Sequence, residues 1–152
     1  MISSGSATWR GSWHHGDGTI STSGETIQNL PFSYASRFEG KPGGNPEELF
    51  ATAYAGCLTQ ALANTLDWGN WVIEKIETTV QVELEMGERS PNFKGVHVII
   101  RAKVPMIKEN QFQGLANAAK NGCLISRLLK IDVSMDATVD SSEPIPIPHI
   151  AG

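Results

Sequence analysis

Cys57 and Cys123 are the entire thiol content of this 152-residue chain. Sulfur attacks as thiolate, and a free thiol with a pKa near ~8.5 is only a few per cent ionised at neutral pH. Apolar burial makes ionisation harder, because it disfavours the charged form. Cys57 lies in the most apolar helix-like run, and left to itself it is an inert core thiol. A cation about 4 Å away reverses that balance, contributing up to ~4 kcal/mol at an effective dielectric near ~20. Of the five arginines (Arg10, Arg37, Arg89, Arg101, Arg127), Arg37 is best placed, in Ala35-Ser36-Arg37-Phe38-Glu39-Gly40 before the loop that feeds the Cys57 helix. Its other reading is a solvated surface charge. Cys123 follows Gly122 at the expected start of a short helix, where the positive end of the dipole eases thiolate formation. Otherwise it is a small residue filling a tight helix–helix turn.

The elements that must position these groups follow from periodicity. Asn45-Pro46-Glu47-Glu48 combines a capping residue, proline at the first helical position and first-turn acids, with Glu48 at capping-box spacing. The helix that follows carries Leu49, Ala53, Cys57 and Ala61 on one stripe, and Phe50, Tyr54, Leu58, Leu62 and Leu66 on the next. No charge falls between residues 49 and 66, and Ala51, Ala55 and Gly56 fill much of the remainder, so burial on most sides is expected. A second helix is predicted from about Lys108 to Lys120, with Phe112, Leu115, Ala116 and Ala119 inward and Asn121-Gly122 ending it. A short third helix, 123–130, follows at once.

Three segments alternate apolar and polar residues as half-buried strands do. Their rows are Ile76, Val80, Val82, Leu84, Met86; then Val96, Val98, Ile100, Ala102, Val104; then Ile131, Val133, Met135, Ala137, Val139. Residues 87–92 join the first two as a hairpin. Turn signals in the first forty residues, between segments 7–13 and 19–22, suggest a small antiparallel meander. The order makes an α+β domain over residues 1–140, with a sheet wrapped on a central helix. Glu143-Pro144-Ile145-Pro146-Ile147-Pro148 marks 141–152 as an extended proline-rich tail.

Composition excludes several functions. The chain is 40% hydrophobic and 18% charged with a net charge of −4, and its scattered lysines and arginines form no patch for nucleic acid. No run of ~18 apolar residues predicts a membrane span. Two cysteines are too few for a secreted disulfide scaffold, and the N-terminal residues lack a signal-peptide pattern, so a reducing cytoplasm is expected. His14, His15, His97 and His149 lack metal-ligand spacing. Trp9, Trp13, Trp68 and Trp71 read as packing, and residues 40–45 as a flexible loop able to move over the site.

Taken together, Asn45-Pro46-Glu47-Glu48-Leu49-Phe50, Tyr54-Ala55-Gly56-Cys57 and Lys120-Asn121-Gly122-Cys123 closely resemble the OsmC/Ohr family of osmotically inducible and organic-hydroperoxide-resistance proteins. The similarity runs from about residue 7 to 139, and Ser36-Arg37-Phe38-Glu39-Gly40 resembles the OsmC branch. The resemblance implies an OsmC-like fold, with antiparallel sheets wrapped around long central helices in an intertwined homodimer. It implies a thiol peroxidase for organic hydroperoxides, and less so hydrogen peroxide, without haem, flavin or metal. In that role Cys57 attacks, Cys123 resolves, Arg37 activates and Glu47 holds the arginine. An external dithiol, lipoyl-type by analogy with the Ohr branch, reopens the resulting disulfide. Phe38, Phe50 and Tyr54 are the expected walls of an apolar pocket. Leu124 departs from the relatives, which commonly carry proline after the second cysteine.

Glu47 and Cys57 are ten residues apart on one helix, hence about 15 Å along its axis. A cluster of Glu47, Arg37 and Cys57 therefore calls for two antiparallel helices from two chains, a dimer with composite sites. The competing reading is a non-catalytic dimeric stress or ligand-binding domain whose buried thiols stay protonated.

Overall fold

The computed structural model describes residues 1–144. The chain divides into two compact units, one spanning Met1–Phe50 and the other beginning at Ala51. In the first unit, strands β1 (Gly5–Arg10), β2 (Asp17–Thr22) and β3 (Leu30–Ser33) form the antiparallel meander in the order β1-β2-β3. Gly18 makes that sheet possible, because a Cβ there would stand 2.0 Å from the Thr8 carbonyl oxygen and 2.8 Å from the Phe32 ring. β1 ends at Arg10 rather than running on to Trp13. Gly11 takes φ +94, and the Gly16 N–H donates to the Ser12 carbonyl at 2.7 Å, so Trp13 rides on a turn.

Helix α1 (Tyr34–Phe38) is short and is started by a reciprocal cap: Ser33 Oγ accepts from the Ser36 N–H, and Ser36 Oγ accepts from the Ser33 N–H. The loop at residues 40–45 differs from the free cover expected of its glycines. Lys41 N–H donates to Ala35, Gly44 N–H to Pro31, and the Ser36 hydroxyl to the Gly44 carbonyl at 2.8 Å. Gly43 adopts φ +138 with Ser36 packed against it, which leaves no room for a side chain.

Helix α2 (Pro46–Trp68) starts in the first unit and continues into the second. Its start is as expected, with Asn45 Oδ1 accepting from the N–H groups of Glu47 at 2.9 Å and Glu48 at 3.2 Å. Strands β4 (Lys75–Met86) and β5 (Pro91–Lys103) form the predicted hairpin, closed by Gly87 N–H to the Ser90 carbonyl, with an irregular register between Glu83 and Leu84. Helices α3 (Glu109–Gly122) and α4 (Leu124–Leu128) precede β6 (Val133–Asp140).

β6 pairs with β5 in parallel, so the second sheet, ordered β4-β5-β6, is mixed and not antiparallel throughout. The two intervening helices form a crossover that returns the chain to the end where β5 began. Ile131 lies before the strand and is 37% exposed.

The core of the second unit is the row Val96, Val98, Ile100, Ala102 and Val104 with Ile107, Phe112, Ala116, Ala119 and one stripe of α2. That stripe is Tyr54, Leu58, Leu62 and Leu66 at four-residue spacing. Thr52, Ala53, Gly56 and Gln60 are exposed and much of the rest is half-buried, so full burial on α2 is confined to that one stripe rather than extending to most sides. Apolar composition alone does not say how much of a helix surface ends up covered. Among the described residues no helix is long and apolar enough to cross a membrane. Ser141–Pro144 have no regular structure, and the rest of the proline-rich tail lies outside the described residues.

Candidate active site

The chemistry-bearing residues fall into two pairs, one in each unit. In the first unit Arg37, on α1, reaches Glu47, the second residue of α2, through both ends of its fork. Nε donates to Oε2 at 3.3 Å and Nη2 donates to Oε1. Bidentate pairing fixes the plane of the guanidinium as well as its position. The arrangement is prepared locally. Asn45 caps the helix, its N-terminal dipole end favours the Glu47 carboxylate, and the Ser33–Ser36 cap sets the direction of α1. The side chains retain 27% and 14% exposure. The Arg37 guanidinium also sits over the Phe38 ring, 4.8 Å from its centroid.

Beside this pair is a cavity of about 290 Å³ lined by Trp9, Trp13, Phe32, Tyr34, Arg37 and Phe38. Trp13 meets Tyr34 and Phe38 edge-on, with centroids 5.1 and 6.3 Å apart. Of the three expected wall residues Phe38 lines it. Phe50 lies in the second turn of α2 and does not, and Tyr54 belongs to the core of the second unit. Trp9, Trp13, Phe32 and Tyr34 were not foreseen as lining. One signal was available: the register Trp9–Gly18–Phe32 puts two aromatics either side of a residue without a side chain, and their rings meet at 5.2 Å.

In the second unit Cys57, half-buried on α2, and Cys123, 1% exposed, are both free thiols. Their sulfurs are 3.2 Å apart across 66 residues of sequence. A disulfide needs about 2.05 Å, so a shift of roughly 1 Å joins them. Cys123 is the junction of two helices. Its N–H closes α3 on the Ala119 carbonyl at 2.9 Å, and its own carbonyl receives the Arg127 N–H at 3.1 Å. With leucine in place of proline, α4 still begins at residue 124, and Leu124 is 68% exposed.

Burial pushes the Cys123 thiol up, but the Ser126 N–H, the Cys57 thiol, the Ser126 hydroxyl and the Ile125 N–H together outweigh it. The net result lies below the ordinary thiol value. Tyr54 is fully buried, and its hydroxyl is 2.7 Å from Ser126 Oγ. Burial raises the phenol above its usual value. His97 stands on the partly exposed side of β5 beside Ser134 and Asp136 of β6, at 2.7 and 3.1 Å. His149 lies outside the described residues. No group of three His, Cys, Asp or Glu side chains suited to a metal ion occurs among the described residues.

The OsmC-like protein family profile matches residues 38–138. The chain belongs to the OsmC family. It is 33% identical over 137 residues to Peroxiredoxin OsmC of Escherichia coli (strain K12), covering 90% of this chain and 96% of that protein. It is 35% identical over 101 residues to the Organic hydroperoxide resistance protein OhrB of Bacillus subtilis, covering 64% of this chain and 72% of the other. The crystal structure of that OhrB superposes with a TM-score of 0.63 at 26% identity, over 90% of this chain and 98% of its own. As an OsmC-family chain the protein has the expected α+β class, and the motif that carries Arg37 lies at the edge of the matched segment.

Proposed function

We propose that this protein is a thiol-dependent peroxidase that reduces organic hydroperoxides to alcohols, in cytoplasmic oxidative and osmotic stress defence. The observation that carries the reading is the pair of free sulfurs held 3.2 Å apart by elements far separated in sequence. Family membership supports it, since relatives are named for peroxiredoxin activity and for organic hydroperoxide resistance.

The Cys57 thiolate attacks the distal peroxide oxygen and the O–O bond breaks. The alkoxide leaves and takes up a proton as alcohol, and Cys57 remains as the sulfenic acid. Cys123 then displaces hydroxide from the Cys57 sulfur. An S–S bond forms, an S–O bond breaks, and the thiol proton departs with the hydroxide as water. An external dithiol, of lipoyl type, reopens the bond by exchange and is itself oxidised to a disulfide.

Arg37, held by Glu47, supplies positive charge to a Cys57 sulfur of the partner chain, in a homodimer whose sites are composite. Two features support that assembly: an α2 face left open beside a single buried stripe, and an aromatic first unit with partly exposed tryptophans.

The test is the intact mass of the reduced protein before and after one equivalent of cumene hydroperoxide. A loss of about 2 Da with both thiols gone and the hydroperoxide consumed is the expected result. An unchanged mass with undiminished hydroperoxide returns the chain to a non-catalytic binding role.

A further inference from the structure

We propose that Ser126, backed by the Tyr54 hydroxyl, is the positioning residue that keeps the Cys123 sulfur ready to attack the oxidised Cys57 and ready to leave when the pair is reduced. The inference rests on the peroxidase reading and adds a residue that the thiol chemistry alone does not call for.

Tyr54 has no exposed surface, and a buried phenol needs a partner. It finds one in Ser126 Oγ at 2.7 Å, 72 residues further along the chain. That contact fastens α4 to α2, the helix that also carries Cys57. Ser126 stands three residues after Cys123, the position whose N–H is turned toward the residue that opens the helix. In the thiol form Cys123 makes no capping hydrogen bond. The Ser126 N–H and hydroxyl and the Ile125 N–H nevertheless act on its sulfur in the sense that favours negative charge. If the serine hydroxyl donates to sulfur, its oxygen is free to accept from tyrosine, which makes the directed chain Tyr54 → Ser126 → Cys123.

The titratable groups acting on Cys123 are Cys57 and Tyr54, both from α2. Lys120, near the end of α3, gives its ammonium to the Val133 carbonyl at 3.1 Å. The Ser126 and Ile125 donors, with the Cys57 thiol, are what lower this sulfur against its burial.

Both halves of the cycle use the arrangement. In resolution, Cys123 attacks the Cys57 sulfenic sulfur, and the pair loses water. In reduction, the Cys57 sulfur is the reachable one, because Cys123 is 1% exposed. The external thiolate bonds to Cys57, the S–S bond breaks, and the electron pair goes to Cys123, where the Ser126 donors receive it. Low basicity speeds a leaving thiolate.

The experiment compares wild type, Ser126→Ala, Ser126→Thr and Tyr54→Phe. One arm measures single-turnover rates of sulfenic acid formation and of disulfide formation with cumene hydroperoxide. A second follows the ultraviolet thiolate absorbance of Cys123 against pH in a Cys57→Ser background. Ser126→Ala is expected to slow the disulfide step about tenfold or more relative to the sulfenic step, and to move the Cys123 titration upward. Ser126→Thr, which retains the hydroxyl, restores both, and Tyr54→Phe shifts both in the alanine direction by less. Equal slowing of both steps with an unmoved titration would reduce Ser126 to packing and overturn the proposal. If wild type makes no sulfenic acid, the peroxidase reading has failed by itself. The titration arm then still decides, an upward shift supporting the Ser126 contact and no shift refuting it.

Discussion

Among the described residues, every large side chain with essentially no exposed surface, from Tyr54 and Leu58 through Ile100 to Phe112, belongs to the second unit. In the first unit β1 is exposed along its whole length, and the buried side chain among its described residues is the hydroxyl of Ser36. One unit is held by close-packed apolar surface, the other by ladder hydrogen bonds, a reciprocal serine cap, a bidentate ion pair and rings packed edge to face. The contrast follows the two kinds of chemistry. On the proposed reading, sulfurs that must meet at bonding range sit in the close-packed part. The guanidinium, whose influence falls gently with distance, sits in the part built from polar contacts.

Paired truncations sharpen that contrast most. Leu58→Ala, which empties a fully buried site, is expected to cost about 2–5 kcal/mol of unfolding free energy. Trp13→Ala, at a side chain 45% exposed, is expected to cost about 1 kcal/mol or less. Denaturant titration of both variants reads this directly, and equal losses would erase the distinction between the units.

Next in size is the ion pair. Arg37→Ala is expected to slow hydroperoxide consumption at least about tenfold, or ~1.4 kcal/mol in the barrier. Glu47→Gln should act in the same direction, and the double variant should lose less than the sum, because the two side chains serve one contact. Arg37→Lys should recover little, since an ammonium cannot occupy both carboxylate oxygens. Steady-state peroxide assays on the four proteins test this, and a wild-type rate in Arg37→Ala would remove the guanidinium from its role.

The smallest effect lies at the far end of the second sheet. Hydrogen bonds from the Ser142 N–H and hydroxyl, with the Lys103 ammonium, hold the Asp140 carboxyl at about 2, against an ordinary value of 3.8. A lowered folded value means a stabilising contribution that is complete above the ordinary value and lost as pH falls toward 2. Asp140→Asn should therefore flatten the acid limb of the stability curve slightly in that window, as read by circular dichroism during acid titration. An unaltered limb would show the contact to be without energetic weight.

Much of this was legible in the residues. Asn45-Pro46 marked the start of α2 because cap and proline act locally, and the row from Val96 to Val104 announced its buried face by simple alternation. What was hidden depends on partners distant in sequence. Alternation is the same whichever way a strand runs, so the parallel pairing of β6 left no trace in its row. The glycine-rich loop looked free because the carbonyls and hydroxyls that tie it lie on other segments. Tyr54 looked like a pocket wall because its hydroxyl finds its partner 72 residues away.

The parallel partnership of β5 and β6 also has a consequence in time. Two strands running the same way gain nothing until the whole helical excursion between them has been reeled in, which places such contacts late in assembly. Cys123 rides on that excursion. Its approach to Cys57, 66 residues back, is a long-range contact of the same kind, and loop-closure cost sets it among the later ones to be made.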